Sequence, residues 1–211
     1  LNNRFSNQSH RLNMNLVHKL DSLTELTLRP KLNYSSGSRA NQQYDGFLSS
    51  ENLLTRETNI NNSNTNEAMD GNVFIRLSRN FKKKDRNLSI NYQPSIAKTT
   101  SNTELNSYYT FVTGTIADSS LLQKREQSTS RFDQMAGVSY TEPLSKKHKL
   151  EFKYTFNRNT NNSALNTYNF DGTEYSIFDS IQSNNFENET YIHNAGAKFI
   201  YDVKKYRFSI G

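Results

Sequence analysis

The 211-residue sequence has no cysteine, only three prolines and four histidines, and no apolar run approaching the 18 or so residues of a membrane helix. The missing cysteines exclude a disulfide scaffold and cysteine-based zinc or redox sites. The missing apolar run excludes a helical membrane protein but leaves spanning by strands open, because barrel strands give a far weaker hydropathy signal. Hydrophobic residues are also scarce, at 33% of the chain with a mean hydropathy of −0.86. An ordinary soluble domain carries about 45–50%, so a conventional core of this size would go unfilled. Disorder is the first alternative, and 13 Phe and 12 Tyr placed in phase with alternation count against it. His10, His18, His148 and His193 form no HExxH or other ligand spacing, and no G-x-S-x-G, Walker loop or dinucleotide fingerprint occurs. No catalytic, cofactor-binding or metal-binding residue is therefore named.

What the chain does have is alternation. From His10 to Tyr34 two arms flank an Asp-Ser turn. Leu12, Met14, Leu16 and Leu20 share one parity, against Arg11, Asn13, Asn15 and Lys19; Leu26, Leu28, Pro30, Leu32 and Tyr34 oppose Thr27, Arg29, Lys31 and Asn33. Successive strand side chains point to opposite faces, so each arm has one greasy and one wet face. Each arm is about the 9–11 tilted residues that cross a hydrocarbon layer.

The pattern returns three times. Val73, Ile75, Leu77 and Phe81 lead through KKKDR to Leu88, Ile90, Tyr92, Pro94 and Ile96; Ala136, Val138, Tyr140 and Leu144 lead through SKKHK to Leu150, Phe152, Tyr154 and Phe156. Tyr191, His193, Ala195, Ala197, Phe199, Tyr201 and Val203 then lead through VKKY to Tyr206, Phe208 and Ile210. The expected fold is all-β, an antiparallel transmembrane barrel wall of about eight strands forming one domain over residues 1–211. Its hairpins lie at about 10–34, 71–97, 131–157 and 190–211. Long outer loops are expected at about 35–70, 97–130 and 158–189, with strands extending past the membrane into the base of the first and SYYTFVTG in the second a period-2 piece fit for a strand above the membrane; residues 1–9 are read as the tail of a preceding loop. Short turns alternating with long loops favour a barrel over a soluble sandwich, whose variable loops sit at both ends.

Six residues at the C-terminal end cannot span, and an open edge in lipid leaves backbone groups unsatisfied. The expectation is a slice of a larger barrel, with a trimmed eight-strand barrel as the alternative. The start at Leu1 without a basic, apolar leader implies a removed signal peptide or an N-terminus further upstream. Pro30 and Pro94 lie at one depth on the lipid-side parity, so a bulge or a broken ladder is expected beside them.

A net charge of +6 would suggest nucleic acid if basic residues clustered with aromatics on one surface. They gather instead at the short turns, while residues 158–190 set Arg158 against Asp171, Glu174, Asp179, Glu187 and Glu189. That asymmetry fits two different aqueous sides, with the lipid bilayer of the outer membrane as partner and no nucleic acid.

His10-Arg11-Leu12-Asn13, Lys19-Leu20-Asp21-Ser22, Leu26-Thr27-Leu28-Arg29-Pro30 and the closing Tyr206-Arg207-Phe208-Ser209-Ile210-Gly211 resemble the barrel portion of Bacteroidota outer-membrane proteins akin to TonB-dependent receptors. The resemblance implies about twenty-two strands, a plug domain and a TonB contact in the parent chain, and a surface lipoprotein as a further partner. The function expected is a receptor or transporter. Ligand would be captured by Tyr44, Phe47, Tyr108, Tyr109, Phe111, Tyr168, Phe170 and Tyr175, with Phe178 beside them, and the hydrated lumen lined by Arg29, Lys31, Arg76, Lys153 and Lys198. Aromatic and amide groups together suit sugars or peptides, and the same rings also serve to pack loops. Tyr34, Tyr92, Tyr140, Tyr154 and Tyr201 are expected to form an aromatic girdle. A structural, adhesive or secretion barrel is the alternative, and a rim hydrolase using His10 or His193 a second; the chain is expected not to be an enzyme.

Overall fold

A computed structural model describes residues 2–112, 116–203 and 206–211. Ten strands form one antiparallel sheet: β1 (Asn2–Asn13), β2 (Leu16–Lys19), β3 (Thr24–Leu48), β4 (Leu54–Asn80), β5 (Asn87–Phe111), β6 (Ser119–Pro143), β7 (His148–Phe170), β8 (Tyr175–Phe178), β9 (Asn184–Val203) and β10 (Tyr206–Ile210). The order is β1-β3-β4-β5-β6-β7-β9-β10, a simple up-and-down meander, with β2 on β3 and β8 on β7. Because β1 and β2 keep one register against β3, they are a single wall strand interrupted at Met14 and Asn15. The wall thus has eight strands, with β8 as an added hairpin strand. Among the described residues there is no helix.

Among the described residues the sheet has no second layer, and burial is inverted relative to a soluble domain. Ile200 is the one buried hydrophobic among the described residues, while Leu12, Leu32, Ile90, Ile96, Phe152 and Phe199 are exposed. The pairings place every apolar parity named above on one continuous face, here the outer face. Of the buried polar residues, Thr24, at the start of β3, has the outer parity, and Thr27, Thr58, Ser89, Ser107, Gln123 and Thr167 have the opposite one. With no covering layer, only neighbours leaning together can shield them, so the sheet curls toward this inner face.

The expected long loops are corrected. Residues 35–70, 97–130 and 158–189 are mostly strand where described: β3, β5 and β6 each run 25 residues and β4 27, the tips shrink to 49–53 and to 171–183 around β8, and β5 runs to Phe111 with β6 starting at Ser119. Residues Asn2–Ser9, expected as a loop tail, pair with Ser35–Gln42. The cue failed because alternation needs contrast, and here both faces are polar. The ladder needs none, and short polar side chains support it across strands, as Asn64 Nδ2 donates to Ser101 Oγ at 2.9 Å and Thr103 Oγ1 at 2.7 Å. Of the expected last turn, Lys204 and Lys205 lie outside the described residues, as do Thr113 and Gly114 of SYYTFVTG.

At the prolines the ladder is broken without a bulge. In an antiparallel pair a residue turns both its N–H and its C=O to one neighbour. Pro30 accepts from Met14 N at 3.1 Å and returns nothing, and the strand lapses at Met14–Asn15. Pro94 faces Val73, and the β4–β5 ladder skips Val73 and Phe74 while its register holds on either side. Each proline stays paired on its other flank, Pro30 with Val73 and Pro94 with Gln134. Register shifts fall instead at the tips, at Phe47/Leu48 and Asn169/Phe170.

The apolar band also shows how the strands tilt. Pro30, Val73, Pro94, Gln134, Arg158 and Tyr191 lie in one row of the register. The band is centred on that row in β3 and β4, near Tyr92 in β5 and Ala136 in β6, and near residues 153 and 196 in β7 and β9. It slides about one residue per strand toward the short turns, which for a level band requires a tilt of about 35° at ordinary strand spacings. Outer-membrane strands tilt roughly 35–45°. The girdle expectation divides accordingly. Tyr34 and Tyr191 mark the upper edge and Tyr140 and Tyr201 the lower, whereas Tyr92 and Tyr154 sit mid-band, Tyr154 with its hydroxyl 2.8 Å from His193 Nδ1.

An arginine placed mid-band on the outer face should cost about 2–4 kcal/mol, falling toward zero outside it. Urea unfolding in lipid vesicles should therefore separate Ile90→Arg from Asn102→Arg, on the same face of β5 but above the band; equal costs would refute this placement of the membrane.

Candidate functional site

The inner face is polar from end to end. Its strand positions hold thirteen basic residues (Arg11, Lys19, Arg29, Lys31, Arg39, Arg56, Arg76, Arg125, Arg131, Lys149, Lys153, Lys198, Arg207) against six acidic ones (Glu25, Asp45, Asp70, Asp133, Glu151, Asp202). On the outer face, Arg4, Arg79, Lys98, Lys124 and Arg158 stand against Glu57, Glu67, Glu104, Glu126, Glu142, Glu187 and Glu189. Charge is sorted by face, and the inner face carries the positive excess.

All five expected lumen residues have inner-face parity. Arg29 Nε donates to Asn15 Oδ1 at 3.0 Å, with its guanidinium 5.8 Å from the Phe74 ring. Arg76 Nε donates to Ser89 Oγ at 3.1 Å. Lys31 stands between Asn13 and Asn72, Lys153 between Ser139 and Gly196, and Lys198 beside Glu151. Above Arg29 a chain of bonds runs from Arg11 Nε to Asn33 Oδ1 at 3.2 Å and from Asn33 Nδ2 to Asp70 Oδ1 at 3.0 Å. It borders a groove of about 500 Å³ lined by Phe5, Arg11, Asn33, Arg39 and Asn64 and floored by Gly37, where a Cβ would stand 3.0 Å from the Ser6 carbonyl.

The eight expected ligand aromatics do not converge on one site. Tyr168, Phe170 and Tyr175 pack the β7–β8 hairpin, Tyr168 edge-on to Phe178 at 5.8 Å and Phe170 against Tyr175 at 5.2 Å, and Tyr175 Oη donates to Asn106 Oδ1 at 2.6 Å. Tyr44 and Tyr108 are on the outer face, Tyr44 bonded to Glu57. Phe47, Tyr109 and Phe111 do come together, at the rim of the inner face around Arg56. The register sets Phe47, Arg56 and Phe111 in one row, with the guanidinium 3.9 Å from the Phe47 ring centre. One step inward lie Asp45, Thr58 and Tyr109.

Arg56 escaped the sequence reading because it sits in a stretch without alternation; its partnership is set by register across three strands. Its Nε is buried without a partner, as are Thr58 Oγ1, Asn41 Oδ1 and Asn62 Oδ1, all on the inner face of β3 and β4. Shielded polar atoms without protein partners are positions for water or for polar groups of a ligand. Among the described residues no cluster of three metal-binding side chains occurs, and His10 and His193 both have outer-face parity.

At the other end of the wall the turns are tied by charge. Glu142, just beyond the apolar band, accepts from Lys83 Nζ at 2.6 Å, Arg86 Nη2 at 2.7 Å and Tyr140 Oη at 2.5 Å, and Lys149 pairs with Asp85 at 3.2 Å. Those donors, Arg86 first, lower the Glu142 carboxyl to about 2. In the acidic tip at 171–183, hydrogen bonds from Ser176 and from the Thr173 and Glu174 amides hold Asp171 well below the usual carboxylate range. Those from Gln182 and Asn169 lower Asp179.

One apolar and one charged face on a curled, tilted, unlayered antiparallel meander define the wall of a membrane-spanning β-barrel. Residues 79–211 match the outer membrane protein beta-barrel family, and the chain belongs to that family. It is accordingly a protein of the bacterial outer membrane. No curated protein matches. Among solved structures, the ferric yersiniabactin uptake receptor FyuA from Yersinia pestis is similar at 10% identity and a TM-score of 0.28. The match covers 98% of this chain, which spans 45% of the receptor chain.

Because the Glu142 carboxyl is lowered on folding, its contribution to stability is full above the unfolded carboxylate range, near pH 4.5, and is lost as pH falls toward about 2. The difference in urea midpoint between the parent chain and Glu142→Gln should therefore be level at neutral pH and close below about pH 4; a constant difference down to pH 2 contradicts the turn-to-turn tie.

Proposed function

We propose that this wall belongs to a receptor- or transporter-like barrel that captures solutes carrying carboxylate or phosphate groups at its outer rim and passes them along a hydrated lumen. The observation behind this reading is the set of unpartnered, shielded polar atoms at Asn41, Arg56, Thr58 and Asn62. They mark a strip running from the rim to the Arg39–Arg11 groove and on to Arg29, Lys31 and Arg76. Lys153 and Lys198 extend the same positive lining along β7 and β9. Charges at membrane depth are tolerable where they face water or one another. At the rim, the stack on Phe47 holds the Arg56 guanidinium flat and leaves its terminal nitrogens for a bidentate acceptor. Phe111 and Tyr109 add apolar contact for a ligand body such as an acidic sugar or peptide. A plug domain, a TonB contact and a surface lipoprotein are the partners such a receptor would use.

The test is binding of a fluorescent acidic peptide and a basic peptide of equal length to the full chain in proteoliposomes. The acidic probe should bind preferentially and weaken with salt. Arg56→Gln should weaken it by about ten-fold or more, the range of a charge-assisted hydrogen bond. Equal binding of the two probes, or an unchanged affinity in Arg56→Gln, would sink the proposal.

A further inference from the structure

On the outer face where β6, β7 and β9 meet, a furrow of about 450 Å³ lies over Ala195 and Ala197 and is walled by Val138, Tyr140, Phe152 and Tyr154. The register sets Val138, Tyr154 and Ala195 in one row and Tyr140, Phe152 and Ala197 in the next. Two methyl groups beside two aromatic rings leave a step that no side chain fills. The furrow lies in the half of the apolar band nearer the short turns, one row above Glu142, Leu150 and Phe199.

Beyond that row lie the turns at 81–86 and 144–147, rich in lysine. Lys83, Arg86 and Lys149 are engaged with Glu142 and Asp85. Lys82, Lys84, Lys146 and Lys147 are exposed and have no acidic partner among the described residues. Outer-membrane barrels keep their short turns on the periplasmic side, so these ammonium groups stand at the headgroups of the inner leaflet.

We infer that the furrow and its lysines form a binding site for an anionic phospholipid of that leaflet, one acyl chain lying over Ala195 and Ala197 and the phosphate resting at Lys146 and Lys147. An acyl chain is the fitting occupant because the furrow offers nothing to a peptide backbone: the hydroxyls of Tyr154 and Tyr140 are already bonded to His193 and Glu142. The headgroup is anionic because unpaired cations near a charged lipid surface each strengthen attraction to it. The site is separate from the rim cluster and independent of the transport reading.

Native mass spectrometry of the full chain, released from equal mixtures of phosphatidylglycerol and phosphatidylcholine, reads the retained lipid directly. The parent chain should retain phosphatidylglycerol preferentially. Lys146→Ala with Lys147→Ala, both exposed in the turn before β7 and changed only in their side chains, should cut that preference roughly five-fold for each lysine removed. Ala197→Leu, which fills the furrow and leaves every lysine in place, should lose the retained lipid. Equal retention of the two lipids by the parent chain, a preference that survives the lysine changes, or unchanged retention in Ala197→Leu would each overturn the site.

Discussion

The backbone ladder holds its register along the wall strands up to the tips, through more than twenty partners between β3 and β4, and the rest of the structure depends on it. Side chains alternate strictly, so a slip of one residue in any pair would turn that strand's apolar set inward. In hydrocarbon the ladder is also the only way to satisfy backbone N–H and C=O groups. The two demands reinforce one another: a strand out of register would expose Arg29 or Arg76 to lipid.

This explains which features were legible in the residues. Where the two faces differ chemically, as at Leu26 to Tyr34 or Leu88 to Ile96, period-2 alternation gave both the strands and the orientation. It gave the strict succession of hairpins as well, while the missing N–H of Pro30 and Pro94 gave the lapse in the ladder beside them. Where both faces are mainly polar, as along Ser35–Asp45 and Asn59–Asn66, little contrast exists and the strands read as loops. Hydrogen-bonding side chains that mark turns elsewhere here bridge neighbouring strands.

The site was legible to a lesser degree, for the same reason. Parity alone put Arg29, Lys31, Arg76, Lys153 and Lys198 on one face. The aromatic set was chosen by composition, which ignores parity, and it mixed residues of three surroundings: Tyr168, Phe170 and Tyr175 within a hairpin, Tyr44 and Tyr108 on the outer face, and Phe47, Tyr109 and Phe111 at the inner rim. What gathers the last three is Arg56, the residue between Phe47 and Phe111 in a row that exists only once three strands are paired.

The height of the sheet gives the rim a particular chemical setting. Arg56 lies about thirteen residues above the upper edge of the apolar band, which at a tilt of about 35° is roughly 35 Å. The Debye length at physiological ionic strength is about 8 Å. The phosphates and counterions of the membrane surface are therefore screened from Arg56 several times over, and the rim meets solutes at the composition of the bulk medium. The lysines of the short turns, by contrast, work inside the ion atmosphere of the opposite surface. A single strand such as β4 thus joins two electrostatic regimes, and one sheet serves them both without a separate domain for either.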